Sequence, residues 1–189
     1  MPTTNEHDDP VDAIVQAWRR ERPDLPLDSI GIITRVWQAA KLLGDERTRL
    51  LRTHNADVAT LDLLATLRRS GPPYRLTTRE LGRAALVSAG AISQRVQRAE
   101  RDGLVQRTST TGSRTVHVEL TPAGQDRVDD LVSRVLQHEE DLLSSMSAPQ
   151  RDQLAELLQQ LLSHLQDRLG TTPVGHVGDL LANKEAGEA

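Results

Sequence analysis

The 189-residue chain contains no cysteine and no phenylalanine. Without cysteine there is no disulfide framework, and thiol-based redox sensing is excluded. The aromatic residues are only Trp18, Trp37 and Tyr74. The core must therefore be built from Leu, Val, Ile and Ala, which suits packed helices. No apolar run approaches the roughly 20 residues of a membrane span. The N-terminus, MPTTNEHDDP, is acidic, unlike the basic start of a signal peptide. A cytoplasmic location with no membrane partner is expected. The histidines at 7, 54, 117, 138, 164 and 176 are scattered and form no HExxH or His/Cys cluster. No metal or other cofactor is expected. A P-loop, a dinucleotide fingerprint and a Gly-x-Ser-x-Gly elbow are also missing, so an enzyme has no supporting site.

What is present is a segregation of charge. The formal net charge is −4, which spread evenly would argue weakly against a nucleic-acid partner. From Arg75 to Arg114, however, eight arginines stand against Glu80, Glu100 and Asp102, a net of +5. From Pro122 onward five basic residues stand against twelve acidic ones, a net of −7. A basic lobe on an acidic body is the electrostatic footprint of a DNA binder. For any single Arg a solvated helix face remains the plain alternative.

Helix signals recur along the chain. Residues 1–8 look disordered. Asp9-Pro10 opens a helix carrying Val11, Ile14, Val15 and Trp18, which stops before Pro23. RPDLPLD is a rigid connector. Asp28 or Ser29 caps a longer helix with Ile33, Val36, Trp37, Ala40 and Leu43, in which Gly44 is a point of bending or interruption. A third helix spans about Asp57 to Arg69 and ends at Ser70-Gly71-Pro72-Pro73.

The order then becomes distinctive. Thr77-x-x-Glu80 is a capping box opening a helix to about Leu86. Val87-Ser88-Ala89-Gly90 is a turn, with Ser88 an N-cap for a helix reaching Asp102, and Gly103 a C-cap. Leu104–Thr108 and Thr115–Leu120 read as two strands joined through Gly112. Helix, turn, helix, strand, hairpin and strand make a winged helix-turn-helix. The expected fold class is mainly α (α+β), with dimerisation helices flanking that module. Thr121-Pro122 and Ser147-x-x-Gln150 open two Leu-rich helices. Their wide apolar surface has little to cover it in a small monomer. With the helix at 28–53 they are expected to form a homodimer interface; an intramolecular hairpin is the alternative.

The expected organisation is a disordered N-terminus (1–8), N-terminal helices for ligand and dimer contacts (9–54), and a DNA-binding domain (55–121). C-terminal dimerisation helices (122–169) and a flexible tail (170–189) follow.

At about 100° per residue, Ile92, Val96 and Ala99 share one face of the second helix and should pack on Leu81 and Leu86. The opposite face shows Gly90, Gln94, Gln97, Arg98 and Arg101. Ser88 and Ser93 are small enough for close approach to a major groove. Ser93, Gln94 and Gln97 are candidates for base edges, since Gln pairs bidentately with adenine. Arg98 and Arg101 are candidates for phosphates, with Arg83 a weaker one. Arg114, near the hairpin tip, is placed to enter a minor groove. The expected partner is double-stranded DNA. Arg95 sits about 60° from the buried face and should point sideways into the protein.

These residues carry a family resemblance. Leu81 to Leu86, SAGAISQRVQRAERDGLVQR and the closing VELTPAG resemble the MarR family of dimeric winged-helix transcription regulators over about residues 11–169. AWRRERPDL and DLLATLRRSGPPYRLT look like the urate-responsive subgroup, which has an added N-terminal helix. That resemblance implies a small anionic effector bound at Trp18, Asp62, Arg95 and Arg107. An Arg95–Asp62 pair would then be contested by the anion, tilting the recognition helix. A purely structural pair is the alternative, as is a packing role for Trp18. Where the family has an Asp-Arg-Arg-like wing run, this chain has Gly112, Ser113 and Arg114, so the acidic residue that orients the Arg is missing. The expected function is a ligand-responsive DNA-binding regulator, a homodimeric repressor of a palindromic operator released by a urate-like or carboxylate metabolite. The alternative is a winged-helix dimer without an effector, acting as an interaction or DNA-architectural module.

Overall fold

The structure, a computed structural model, describes residues 9–84, 89–109 and 115–170. The chain divides into two compact units, residues 1–47 and 48–189. Residues 85–88 and 110–114, where the sequence leads one to expect a turn and a hairpin tip, and the segments 1–8 and 171–189 lie outside the described residues.

In the first unit, helix α1 (Pro10–Glu21) begins at Asp9, whose Oδ1 accepts from the Val11 amide at 2.9 Å. Pro10 takes the first helical position, where no amide partner is needed. The second helix, α2 (Asp28–Thr53), sends Arg35 back to this cap. Its Nη2 lies 2.6 Å from Asp9 Oδ2 and 2.8 Å from Asp12 Oδ1. The Val11 amide first, and Arg35 second, hold the Asp9 carboxyl below its ordinary pKa. Val11 and Leu27 are buried, whereas Trp37 remains 70% exposed. Asp28 lies inside the first turn of α2 rather than capping it, and the helix runs through Gly44 without a break. The expected interruption is absent because a lone helical Gly costs only about 1 kcal/mol, little against a 26-residue helix.

The second unit is organised around α3 (Val58–Arg69), in which every residue from Leu61 to Leu67 is buried. Asp57 caps it, its Oδ1 accepting from the Thr60 amide at 2.7 Å. Strand β1 (Arg75–Thr77) and helices α4 (Thr78–Ala84) and α5 (Ala89–Arg101) follow, then strands β2 (Val105–Ser109) and β3 (Val116–Leu120). The capping box at α4 is formed. The Thr77 amide donates to Glu80 Oε2 at 2.8 Å, and the Glu80 amide donates to Thr77 Oγ1 at 3.1 Å. Gly103, at φ +71°, ends α5 in the left-handed region.

The sheet order is β1-β3-β2, antiparallel throughout. Val105 faces Leu120 and Leu76 faces Val118. Strand β1 was not expected from sequence. Three residues show no usable alternation, and they become a strand because the free edge of β3 accepts them.

Helix α6 (Pro122–Leu142) starts at Thr121, whose Oγ1 accepts from the Gly124 amide at 3.0 Å and donates to Gly103 O at 2.7 Å. It buries Val128, Leu131 and Val135 against the core around α3. Arg68 of α3 clamps Asp129 of α6 with two bonds of 2.8 and 2.9 Å, and its guanidinium lies 4.6 Å from the Tyr74 ring centre. Helix α7 (Ala148–Leu169) buries no residue at all. Leu157, Leu162 and Leu169 on it are each more than half exposed.

Candidate nucleic-acid interface

The phase of α5 decides which side chains the module offers. Ile92, Val96 and Ala99 are at most 2% exposed, and they join Leu81 of α4 in the core. A 100° rotation per residue then turns Gly90, Ser93, Gln94, Gln97, Arg98 and Arg101 outward, and all six are exposed. This face presents two amides able to give and accept hydrogen bonds, one hydroxyl and two guanidiniums. The α4 residue Arg83 is exposed as well. Ser88 and Arg114 lie outside the described residues.

One member of this face is already engaged. Arg98 Nη1 donates to Asp57 Oδ2 at 2.7 Å, although the two residues are 41 positions apart. Asp57 therefore uses one oxygen to cap α3 and the other to hold Arg98. The sequence shows Asp57 only as the start of a helix. Its second role carries no local signal.

The four candidate ligand residues occupy different settings. Asp62 is 2% exposed inside α3. Arg95 is half-buried on the flank of α5, and its Nη1 is shielded from solvent with no hydrogen-bond partner among the described residues. The expected ion pair between Arg95 and Asp62 does not form. Helical phase sets the side from which Arg95 leaves α5, but not where the fold places the Asp62 carboxylate on α3. Arg107, on β2, stands 3.5 Å from Glu100 of α5, and its side chain is 39% exposed. Trp18 belongs to the unit of residues 1–47 and is 47% exposed. Within the second unit, then, Arg107 is tied to α5, while Arg95 and Asp62 form no ion pair with each other.

No helix among the described residues is long and apolar enough to cross a membrane. No group of three or more His, Cys, Asp or Glu side chains among them is arranged to hold a metal ion.

Comparison with known proteins agrees with this architecture. Residues 56–114 match the model of the MarR family. The HTH-type transcriptional regulator PecS of Dickeya dadantii is 30% identical over 156 residues, spanning 82% of this chain and 94% of its own length. Among solved structures, the organohalide-sensing regulator RdhR in its ligand-free form aligns with a TM-score of 0.61 at 20% identity, over 75% of this chain and 83% of its own. A mutant MarR from E. coli complexed with operator DNA aligns with a TM-score of 0.57 at 23% identity, over 69% and 95% of the two chains. At such identities the structural likeness is one of fold.

Proposed function

The chain belongs to the MarR family of transcriptional regulators, and from that premise we propose that it is a homodimeric, ligand-responsive repressor that binds a palindromic operator. Proteins of this kind are regulators and not enzymes. The observation that carries the proposal is the two-faced α5, with Ile92, Val96 and Ala99 sealed in the core and Gln94, Gln97 and Arg101 standing free opposite them. Ser93, Gln94 and Gln97 read base edges. Arg98 and Arg101 hold phosphates, with Arg83 in support. Ser88 and Arg114, which lie outside the described residues, complete the contact set proposed from the sequence.

Support for dimerisation comes from α7. A 22-residue helix with leucines at 154, 157, 158, 162, 165 and 169 and no buried residue is incomplete in one copy of the chain. Each leucine withdrawn from water is worth roughly 1.5–3 kcal/mol. Pairing two copies through α7, α6 and α2 supplies that burial and sets two α5 helices for two half-sites. In this reading residues 9–54 and 122–169 carry dimer and ligand contacts, and 55–121 reads DNA.

The effector is a small anion of the urate or carboxylate kind, received at Trp18, Asp62, Arg95 and Arg107. Support comes from Arg95. A shielded guanidinium nitrogen without an acceptor is costly, and an incoming anion brings the missing acceptor. Because Arg95 and Gln94 share one turn of α5, a shift at the first moves the second.

The test is a gel-shift or anisotropy titration against DNA from the chain's own upstream region at several salt concentrations. A steep fall in affinity with salt is expected. Gln97→Ala should cost on the order of 1–3 kcal/mol of sequence discrimination, while Arg101→Ala should weaken all sequences alike and flatten the salt slope. Urate, xanthine, small phenols and tricarboxylates are then screened for release. No saturable DNA binding removes the regulator reading of this face, and binding that no anion weakens favours the effector-free alternative.

A further inference from the structure

Beside the DNA-facing module the second unit holds a cleft of about 570 Å³ lined by Arg52, Asn55, Ala56, Asp57, Thr60, Arg98, Asp102, Leu104 and Arg127. Neither Arg95 nor Arg107 contributes to it. It lies where the turn between α2 and α3 meets the C-terminal end of α5 and the first turns of α6. Its volume falls in the range of small-molecule sites, about 300–1,000 Å³, but its chemistry is ionic.

The balance of charge in the cleft is positive. Three guanidiniums line it against two carboxylates. Asp57 neutralises Arg98. Arg127 donates from Nη2 to the carbonyl oxygens of His54 and Asn55, the latter at 3.2 Å, which orients its head without cancelling its charge. Arg52 forms no ion pair among the described residues. Asp102 is the second carboxylate of the lining, and Asp130 of α6, outside the lining, lies within electrostatic range of Arg127. Asn55 and Thr60 add neutral polar groups, and Ala56 and Leu104 supply the apolar remainder.

We propose that this cleft is a second anion site that takes a small phosphate-class dianion between Arg52, Arg98 and Arg127, with Asp57 as the internal competitor for Arg98. Planar guanidiniums grip tetrahedral oxyanions through paired N–H bonds. On arrival the anion replaces the Asp57 oxygen on Arg98, and Asp57 keeps its cap on the Thr60 amide. Arg98 also belongs to the exposed face of α5, so an occupied cleft holds back one cation from the face proposed to meet DNA. Binding of the anion itself does not depend on the regulatory reading; only its effect on DNA does.

Inorganic phosphate and pyrophosphate are titrated into the full-length protein at constant ionic strength, with the arginine side-chain N–H resonances and isothermal calorimetry as readouts. Saturable binding is expected, weakened at least fivefold in Arg52→Ala. Asp57→Asn keeps a capping oxygen and removes the competitor, so it should bind phosphate more tightly than the parent. Shifts that never saturate, or saturable binding indifferent to Arg52→Ala, overturn the proposal. If phosphate fails to bind while Arg52→Ala weakens DNA affinity and lowers the salt slope by about one, the cleft is a DNA-backbone contact instead, and the small-anion site is refuted.

Discussion

Replacing Gly124 with alanine should be among the most damaging small substitutions in this protein. Gly124 lies in the first turn of α6, packed on the backbone of Leu104. A Cβ built there would stand 1.9 Å from Leu104 O, 2.9 Å from its carbonyl carbon and 3.3 Å from its Cα. A carbon and a carbonyl oxygen rest at roughly 3.3 Å, so more than an ångström must be opened. All three atoms are backbone, and no rotamer change relieves the overlap. Either α6 lifts at its start or the Leu104 peptide is pushed aside. Both routes strain the Thr121 amide bond to Leu104 O at 3.1 Å and the Thr121 hydroxyl bond to Gly103 O at 2.7 Å. Lifting α6 also loosens Val128 and Leu131 against α3.

Overpacking costs about 1–3 kcal/mol and a weakened hydrogen bond about 1 kcal/mol more. The better helix propensity of alanine returns up to about 1 kcal/mol. A net loss of roughly 1–4 kcal/mol is expected, or a fall in Tm of about 2–16 °C for a chain of this size. Urea and thermal unfolding at one fixed protein concentration measure it. Gly90→Ala is the control, since its Cβ would meet nothing within 4 Å. That variant should be neutral or more stable by up to about 1 kcal/mol. A Gly124→Ala protein as stable as the parent would refute the account of how α6 is seated.

Other expectations follow from the same contacts. Replacing Leu157 and Leu162 with glutamate should leave the core around α3 intact, because α7 contributes nothing to it, yet yield monomers by light scattering. A folded dimer in that variant would contradict the proposed interface. Acid should open the helix starts first. The Asp9 carboxyl is held low by the Val11 amide and then Arg35, and Glu80 is held low by the Thr77 amide and then the Thr77 hydroxyl. A depressed carboxylate pKa stabilises the folded state above its unfolded value and loses that contribution as pH falls through the folded one. Protection of the Val11 amide at the start of α1 and of the Thr77 amide just before α4 against hydrogen exchange should therefore decline below about pH 4. Asp9→Asn, which keeps a cap acceptor, should lose that dependence in α1, and an unchanged acid profile would remove Asp9 as its cause.

Much of this molecule is legible in the chain because the deciding interactions are short-range. Asp9-Pro10, Thr77 with Glu80, and Thr121-Pro122 each start a helix through bonds spanning at most three residues. Likewise the burial of Ile92, Val96 and Ala99, and the exposure of Gln94, Gln97 and Arg101, follow from helical phase alone. The family resemblance rests on the same ordered pattern. By itself the sequence thus determined the helix starts at Asp9, Thr77 and Thr121, the two faces of α5 and the segregation of charge, since each depends on neighbours a few residues apart.

Tertiary structure decided the rest. Arg75–Thr77 is a strand only because β3 offers it an edge. Arg68 finds Asp129 61 residues away, and Arg98 finds Asp57 across 41. Arg95 and Asp62, expected to pair, form no ion pair with each other. The three arginines of the cleft come from α2, α5 and α6 and adjoin only when the chain has folded. Which charge meets which is a matter of distance in space, to within an ångström or two, and no periodicity along the chain encodes it.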